Sequence, residues 1–168
     1  MTTAREVHAA HADFVWATLH RLGVPRGERA DVMQEVFLVV HRRIDSFDGS
    51  SKVTTWLFGI CLRVVSGWRR GHRRRPEVPA EGAPEFSDGR TPEAEAVTRE
   101  AREEVHRALD RMDLEKRAVF VMFELEDIPC ADIAAVMGVP VGTVHSRLYA
   151  ARSAFAEAVR AGRKLRGA

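Results

Sequence analysis

Residues 128–155, "IPCADIAAVMGVPVGTVHSRLYAARSAF", decide the architecture. The stretch joins two helical patterns at a Gly-Val-Pro break, and the second places Val144, Leu148, Ala151 and Phe155 on one buried stripe. A helix-turn-helix needs a small residue where its helices cross and a turn residue that accepts unusual backbone angles. It also needs an apolar anchor in the second helix. Ala134, Gly138 and Val144 supply these three with gaps of 4 and 6, the spacing of that motif. Pro140 stands near the start of the second helix, where its missing N–H costs little. With Val144 turned inward, Gly142, His145, Ser146 and Tyr149 fall on the opposite side, and Arg147 and Arg152 on the flanks. Hydrogen-bonding groups facing outward between flanking cations form the layout of a recognition helix, read against base edges and phosphates. A plain amphipathic helix with a solvated face has the same periodicity, and the Ala-Gly-Val frame is what favours DNA.

Upstream, "TPEAEAVTREAREEVHRALDRM" opens with Thr91 as a helix cap and Pro92 in the first turn, and "LEKRAVFVMFELE" continues as helix. Before these lies "RRRPEVPAEGAPEFSDGRTPE", with four of the seven Pro of the chain and no apolar periodicity. It reads as a linker of about twenty residues, because long structureless loops inside one compact domain are uncommon. A boundary is therefore expected there, with an acidic linker over 77–96. The first half is helical as well. "HADFVWATLHRLG" carries Phe14, Val15, Leu19 and Leu22 on one side, and "RADVMQEVFLVVHRRI" repeats the pattern through Val32, Val36, Val39 and Val40. A third helix runs from about Thr54 towards Arg74 with Leu57, Cys61, Val64 and Trp68 as its buried stripe. Trp56, Arg63, Arg70 and Arg74, spaced by 7, 7 and 4, lie within about 40° of one another and share a neighbouring face. Gly67 and Gly71 weaken the last turns of that helix. No segment shows strand alternation, so the fold class is all-α.

Composition narrows the function. The 168 residues suffice for one domain or two small ones, and a hydrophobic content of 45% builds an ordinary core. The net charge of +2 hides a segregation: six Arg and no acid over 63–75, then six acids and one Arg over 77–95. A basic surface for a polyanion beside an acidic segment follows. Cys61 and Cys130 stand alone without metal-ligand spacing and read as buried, reduced thiols, so no metal or cofactor is expected. The amino terminus has charges and His in place of an apolar signal core. The longest apolar run, "VFLVV", is far short of the ~20 residues of a membrane span. A cytoplasmic protein with no direct membrane insertion is expected.

The motif at 128–155 resembles region 4 of the bacterial extracytoplasmic-function sigma factors, within the sigma-70-type family. "DVMQEVFLVV" (31–40) and "SSKVTTWLFGI" (50–60) are similar to region 2 motifs of the same family. The order region 2, linker, region 4, with nothing after it, also fits. The resemblance assigns region 2 to 10–76 and region 4 to 97–165. It implies a protein without covalent chemistry, an alternative sigma factor that binds core RNA polymerase and directs initiation at promoters with −10 and −35 elements.

By that resemblance Asp31, Gln34, Glu35 and Phe37 dock on the clamp helices of the polymerase beta-prime subunit, although Phe37 also fits the core. Phe47, Gly49, Ser50, Ser51 and Lys52 form a turn suited to holding a flipped base, with Trp56 as an aromatic platform or as a core Trp. Arg63, Arg70 and Arg74 then hold the upstream edge of the −10 element. Gly142, Thr143, His145, Ser146, Arg147, Tyr149 and Arg152 are the −35 contacts. An anti-sigma protein is the further partner implied, with regulation in trans. The acidic linker is expected near the RNA exit path, or is simply a solvated spacer. Many relatives carry Asn and Asp where this chain has Arg63 and Gly67, and some carry Arg at Ala150, so promoter preference here is expected to be unusual. A helix-turn-helix regulator acting without polymerase leaves 31–40 and 50–60 unexplained. A recombinase lacks its carboxylate cluster, and a sigma-like decoy that starts no transcription remains open.

Overall fold

The computed structural model describes residues 3–72 and 92–166, and every regular element among them is helical. Helix α1 spans Ala4–Arg21, α2 Arg26–Arg43 and α3 Val53–His72. Thr3 and Glu6 close a reciprocal capping box at the start of α1, which satisfies two of its orphan N–H groups. Just past the cap Leu22 the chain turns away at Gly23, whose φ of +90° suits a residue without Cβ. A Cβ there would also meet the guanidiniums of Arg69 and Arg117 at 2.8 and 2.9 Å. That space matters, because these two cations cover the last carbonyls of α1. Arg69 donates to the Leu22 carbonyl at 2.7 Å and Arg117 donates to that of Arg21.

Most of the expected stripes are buried, Val15, Leu19 and Leu22 from the α1 segment, Val32, Val36 and Val40 from α2, Leu57, Cys61 and Val64 from α3, whereas Phe14, Val39 and Trp68 at their edges are half-buried. Helix α3 buries more than one stripe, with Phe58, Ile60 and Val65 also inside, because it packs on α1 and α2 and on a later helix besides. Its last turns persist through Gly67 and Gly71 because Glu28 of α2 holds them. The Trp68 indole donates to Glu28 at 2.8 Å and His72 pairs with the same carboxylate at 2.6 Å.

The second set comprises α4 (Pro92–Asp110), α5 (Leu114–Phe120), a π-helical turn (Val121–Leu125), α6 (Cys130–Met137) and α7 (Val141–Arg166). Helix α4 begins inside the span expected for the linker, and the proposed cap Thr91 lies outside the described residues with most of that linker. Asp113 caps α5 by accepting the Lys116 N–H at 2.9 Å. Helices α4, α5 and α6 all pack on α7, and the two sets meet where α6 lies on α3. Gly59 makes that approach possible: a Cβ on it would stand 3.3 Å from the Val136 side chain. The halves that the sequence separates thus share one continuous apolar core.

Candidate nucleic-acid interface

The helix-turn-helix is built as its residues predict. Gly138 ends α6 in the left-handed region, at φ 65° and ψ 38°, and the Val139 N–H closes the turn on the Ala134 carbonyl at 3.1 Å. Ile133 and Val144 are fully buried, and Leu148 and Ala151 extend the seam. Burying each such aliphatic side chain contributes about 1.5–3 kcal/mol, enough to fix the face that α7 turns outward. On that outward face His145, Ser146 and Arg152 are exposed, and Tyr149 is 79% exposed. Its ring stands in water on the face of α7 turned away from the core. Gly142 is exposed with open space around it, and Thr143 is half-buried. The Ser146 hydroxyl donates to the Thr143 carbonyl at 3.0 Å.

The two flanking cations are less free than the sequence suggests. Half-buried Arg147 pairs with Glu115 at 2.6 Å, and Arg152 pairs with Glu124 while its guanidinium lies 5.1 Å above the Phe123 ring. Those acids come from α5 and the π-helical turn, and no periodicity within α7 points to them.

In the first three helices, the face of α2 formed by Asp31, Gln34 and Glu35 is exposed. Phe37 is half-buried, packed on the core with its ring 4.4 Å from that of His8. The same face presents Leu38, 50% exposed, a residue that the motif resemblance does not single out. The signal is present all the same, since Leu38 follows Asp31 by seven residues and Gln34 by four. Between α2 and α3, Asp48 accepts the Ser50 N–H at 2.9 Å and Gly49 takes a positive φ of 74°, so 47–52 is a tight polar turn. Phe47 and Trp56 approach with ring centroids 5.1 Å apart, both half-buried, at the mouth of that turn. Gly49, Ser50 and Lys52 are exposed and Ser51 is half-buried. Arg63 and Arg70 are exposed on α3, with Arg70 donating to the Ser66 hydroxyl at 3.1 Å. Arg74 lies outside the described residues.

A cleft of about 320 Å³ separates α3 from the helix-turn-helix, and Arg63, Arg70 and Arg147 all line it. The basic face of α3 and the Arg147 flank of α7 thus look at each other. Cys61 is fully buried and its thiol is pushed up to about 12 by that burial, while Cys130 is only half-buried. Among the described residues no group of three metal-ligating side chains gathers, and no helix is long and apolar enough to cross a membrane.

Residues 7–75 match the family described as sigma-70 region 2, and residues 102–155 match sigma-70 region 4. The ECF RNA polymerase sigma-E factor of Escherichia coli strain K12 is 35% identical over 140 residues, covering 78% of this chain and 73% of that protein. The sigma-E factor of Haemophilus influenzae is 33% identical over 138 residues, covering 77% and 73%. Two solved structures share the fold. The sigma factor RpoE of Bartonella quintana, solved with the anti-sigma factor NepR, has a TM-score of 0.69 at 19% identity, covering 93% of this chain and 96% of that one. CnrH, solved with the cytosolic domain of CnrY, has a TM-score of 0.65 at 23% identity, covering 94% and 88%.

Proposed function

This chain belongs to the extracytoplasmic-function sigma factors of the sigma-70 family, and from that premise we propose how its residues divide the work of an alternative sigma factor directing promoter recognition. It is a binding protein and not an enzyme. Its partners are core RNA polymerase, promoter DNA and an anti-sigma protein, and its place is the cytoplasm. The observation that carries the division is the outward face of α7: His145, Ser146 and Tyr149 stand exposed on the side away from a fully buried Val144. A helix held so firmly from behind can enter a major groove without repacking. His145 and Ser146 offer hydrogen bonds to base edges, and the Tyr149 ring offers apolar contact to a thymine methyl. Gly142 and Thr143 at the start of α7 approach the backbone, and Arg147 and Arg152 exchange Glu115 and Glu124 for phosphates.

The exposed α2 face of Asp31, Gln34 and Glu35 docks on the polymerase clamp helices, with Phe37 supporting it from the core and Leu38 adding an apolar contact at its centre. The Phe47–Trp56 pair and the 47–52 turn receive an unpaired base of the −10 element, and Lys52, Arg63 and Arg70 hold the strand beside it. The boundaries 10–76 and 97–165 serve as the working domains. Arg63, Arg70 and Arg147 line one cleft of about 320 Å³, and parting α3 from the helix-turn-helix would free these cations for separate stretches of DNA. Run-off transcription with purified core polymerase on genomic fragments tests the reading. Transcripts that start at discrete sites and require this chain support it. Core binding without any transcript would instead support the decoy.

A further inference from the structure

The junction between the two helical sets contains a pair of histidines that promoter recognition does not use. His20, in the last turn of α1, and His106, in the last turns of α4, lie face to face with ring centroids 3.7 Å apart and planes inclined by 18°. Both are half-buried, and Nδ1 of His106 is buried without a hydrogen-bond partner. Charged groups converge on the pair from every side. Arg29 from α2, Arg117 from α5 and the Asp110 carboxylate at the end of α4 act on both rings, and Arg21 from α1 acts on His106; one step further out, Arg69 of α3 neighbours Arg117 and Glu126 beyond the π-helical turn pairs with Arg21. Arg117, 3% exposed, bridges the halves by bonding the Arg21 carbonyl and Asp110, and Arg21 pairs with Glu126 across the same seam. Three guanidiniums and one carboxylate thus act directly on the pair.

We propose that the His20–His106 stack is an acid-sensitive clasp: with both rings neutral it holds the two halves closed, and protonation forces them apart. Two imidazolium ions in face contact repel, and the surrounding guanidiniums add to that repulsion. Separation returns both rings to water. Burial, then His106, then the Arg29 and Arg117 guanidiniums hold His20 down at about 4, and burial followed by Arg117 lowers His106 also. The sign follows from linkage. A group whose value is lower in the closed form than the ordinary 6.5 supports that form above pH 6.5, and the support drains away as pH falls towards 4. Through His20 alone, the closed-to-open ratio should fall by about 10- to 30-fold between neutral pH and pH 5. The clasp concerns the shape of the free chain and stands independently of which bases are read.

Small-angle X-ray scattering of the full chain from about pH 8 to about pH 5, with circular dichroism on the same samples, tests the clasp. The radius of gyration is expected to rise over that range while helicity stays constant. The double variant His20→Phe/His106→Phe keeps two stacking rings without proton sites and should remain compact throughout. His106→Arg carries a permanent charge and should be expanded already at the higher pH. The proposal is overturned if the native chain stays compact to the lowest pH, if it expands only as helicity is lost, if the double Phe variant expands with the native chain, or if His106→Arg stays as compact as the native chain.

Discussion

Gly138→Ala isolates a single physical effect. The residue sits at φ 65° and ψ 38°, and a Cβ built on it meets nothing within 4 Å. Steric crowding by neighbours is therefore absent, and the whole penalty is the cost of holding an L-residue in the left-handed region, about 1–2 kcal/mol. Asn tolerates that region better and should lose distinctly less. Gly142→Ala is the control. Gly142 also has open space around it, but it lies inside α7 without a positive φ, so Ala there should gain up to about 1 kcal/mol. For a chain of this size 1 kcal/mol moves the melting temperature by about 2–4 °C. Thermal unfolding followed by circular dichroism should thus rank Gly142→Ala above wild type, then Gly138→Asn, with Gly138→Ala lowest by about 2–8 °C. If Gly138→Ala melts with the wild type, or Asn is no better than Ala, residue 138 is not left-handed in solution and the turn is wrongly described.

Phe37→Ala should weaken core polymerase binding in a pull-down while −35 binding survives; if the first three helices unfold by circular dichroism instead, Phe37 is a core residue only. Replacing Arg63 and Arg70 together with Gln should lower the slope of log K against log salt on a forked −10 template, by about 0.7 for each single-strand phosphate left without its cation. An unchanged slope would leave both as solvated surface. In a selection from randomised −35 elements, His145→Ala and Tyr149→Ala should each alter the preferred bases, at about 1–3 kcal/mol for each base no longer read. Arg152→Gln should weaken all sequences alike, and a preferred sequence unmoved by both Ala variants would show that this face does not read bases.

Much of the fold is legible because helical periodicity is a local property. The stripes through Val15 and Leu19, through Val32, Val36 and Val40, and through Val144 and Leu148 are buried as spaced. The all-α class and the turn at Gly138 follow from residue type and offset alone. The end of α3 is firmer than its residues suggest, because Gly67 and Gly71 weigh against a helix in isolation, whereas Glu28 anchors Trp68 and His72 from a neighbouring helix. Phe37 and Trp56 each allow a buried and an exposed reading, and both side chains are half-buried. Leu38 escapes notice because it sits inside an apolar run, where a single exposed position carries no local mark.

Sequence by itself determined the helices, the recognition-helix frame and the family, since each depends on residues within a few turns of one another. Only the tertiary structure decided how the halves meet. Gly59 gave no sign of admitting Val136, and Arg117 gave none of crossing to the Arg21 carbonyl. Nothing in the spacing paired Arg147 with Glu115, Arg152 with Glu124, or His20 with His106. These partners lie between 28 and 86 residues apart. Periodicity states which way a side chain points relative to its own helix axis, and it is silent on which other helix arrives opposite it. That choice falls to the packing of the shared core, and with it the charge environment of every group at the seam.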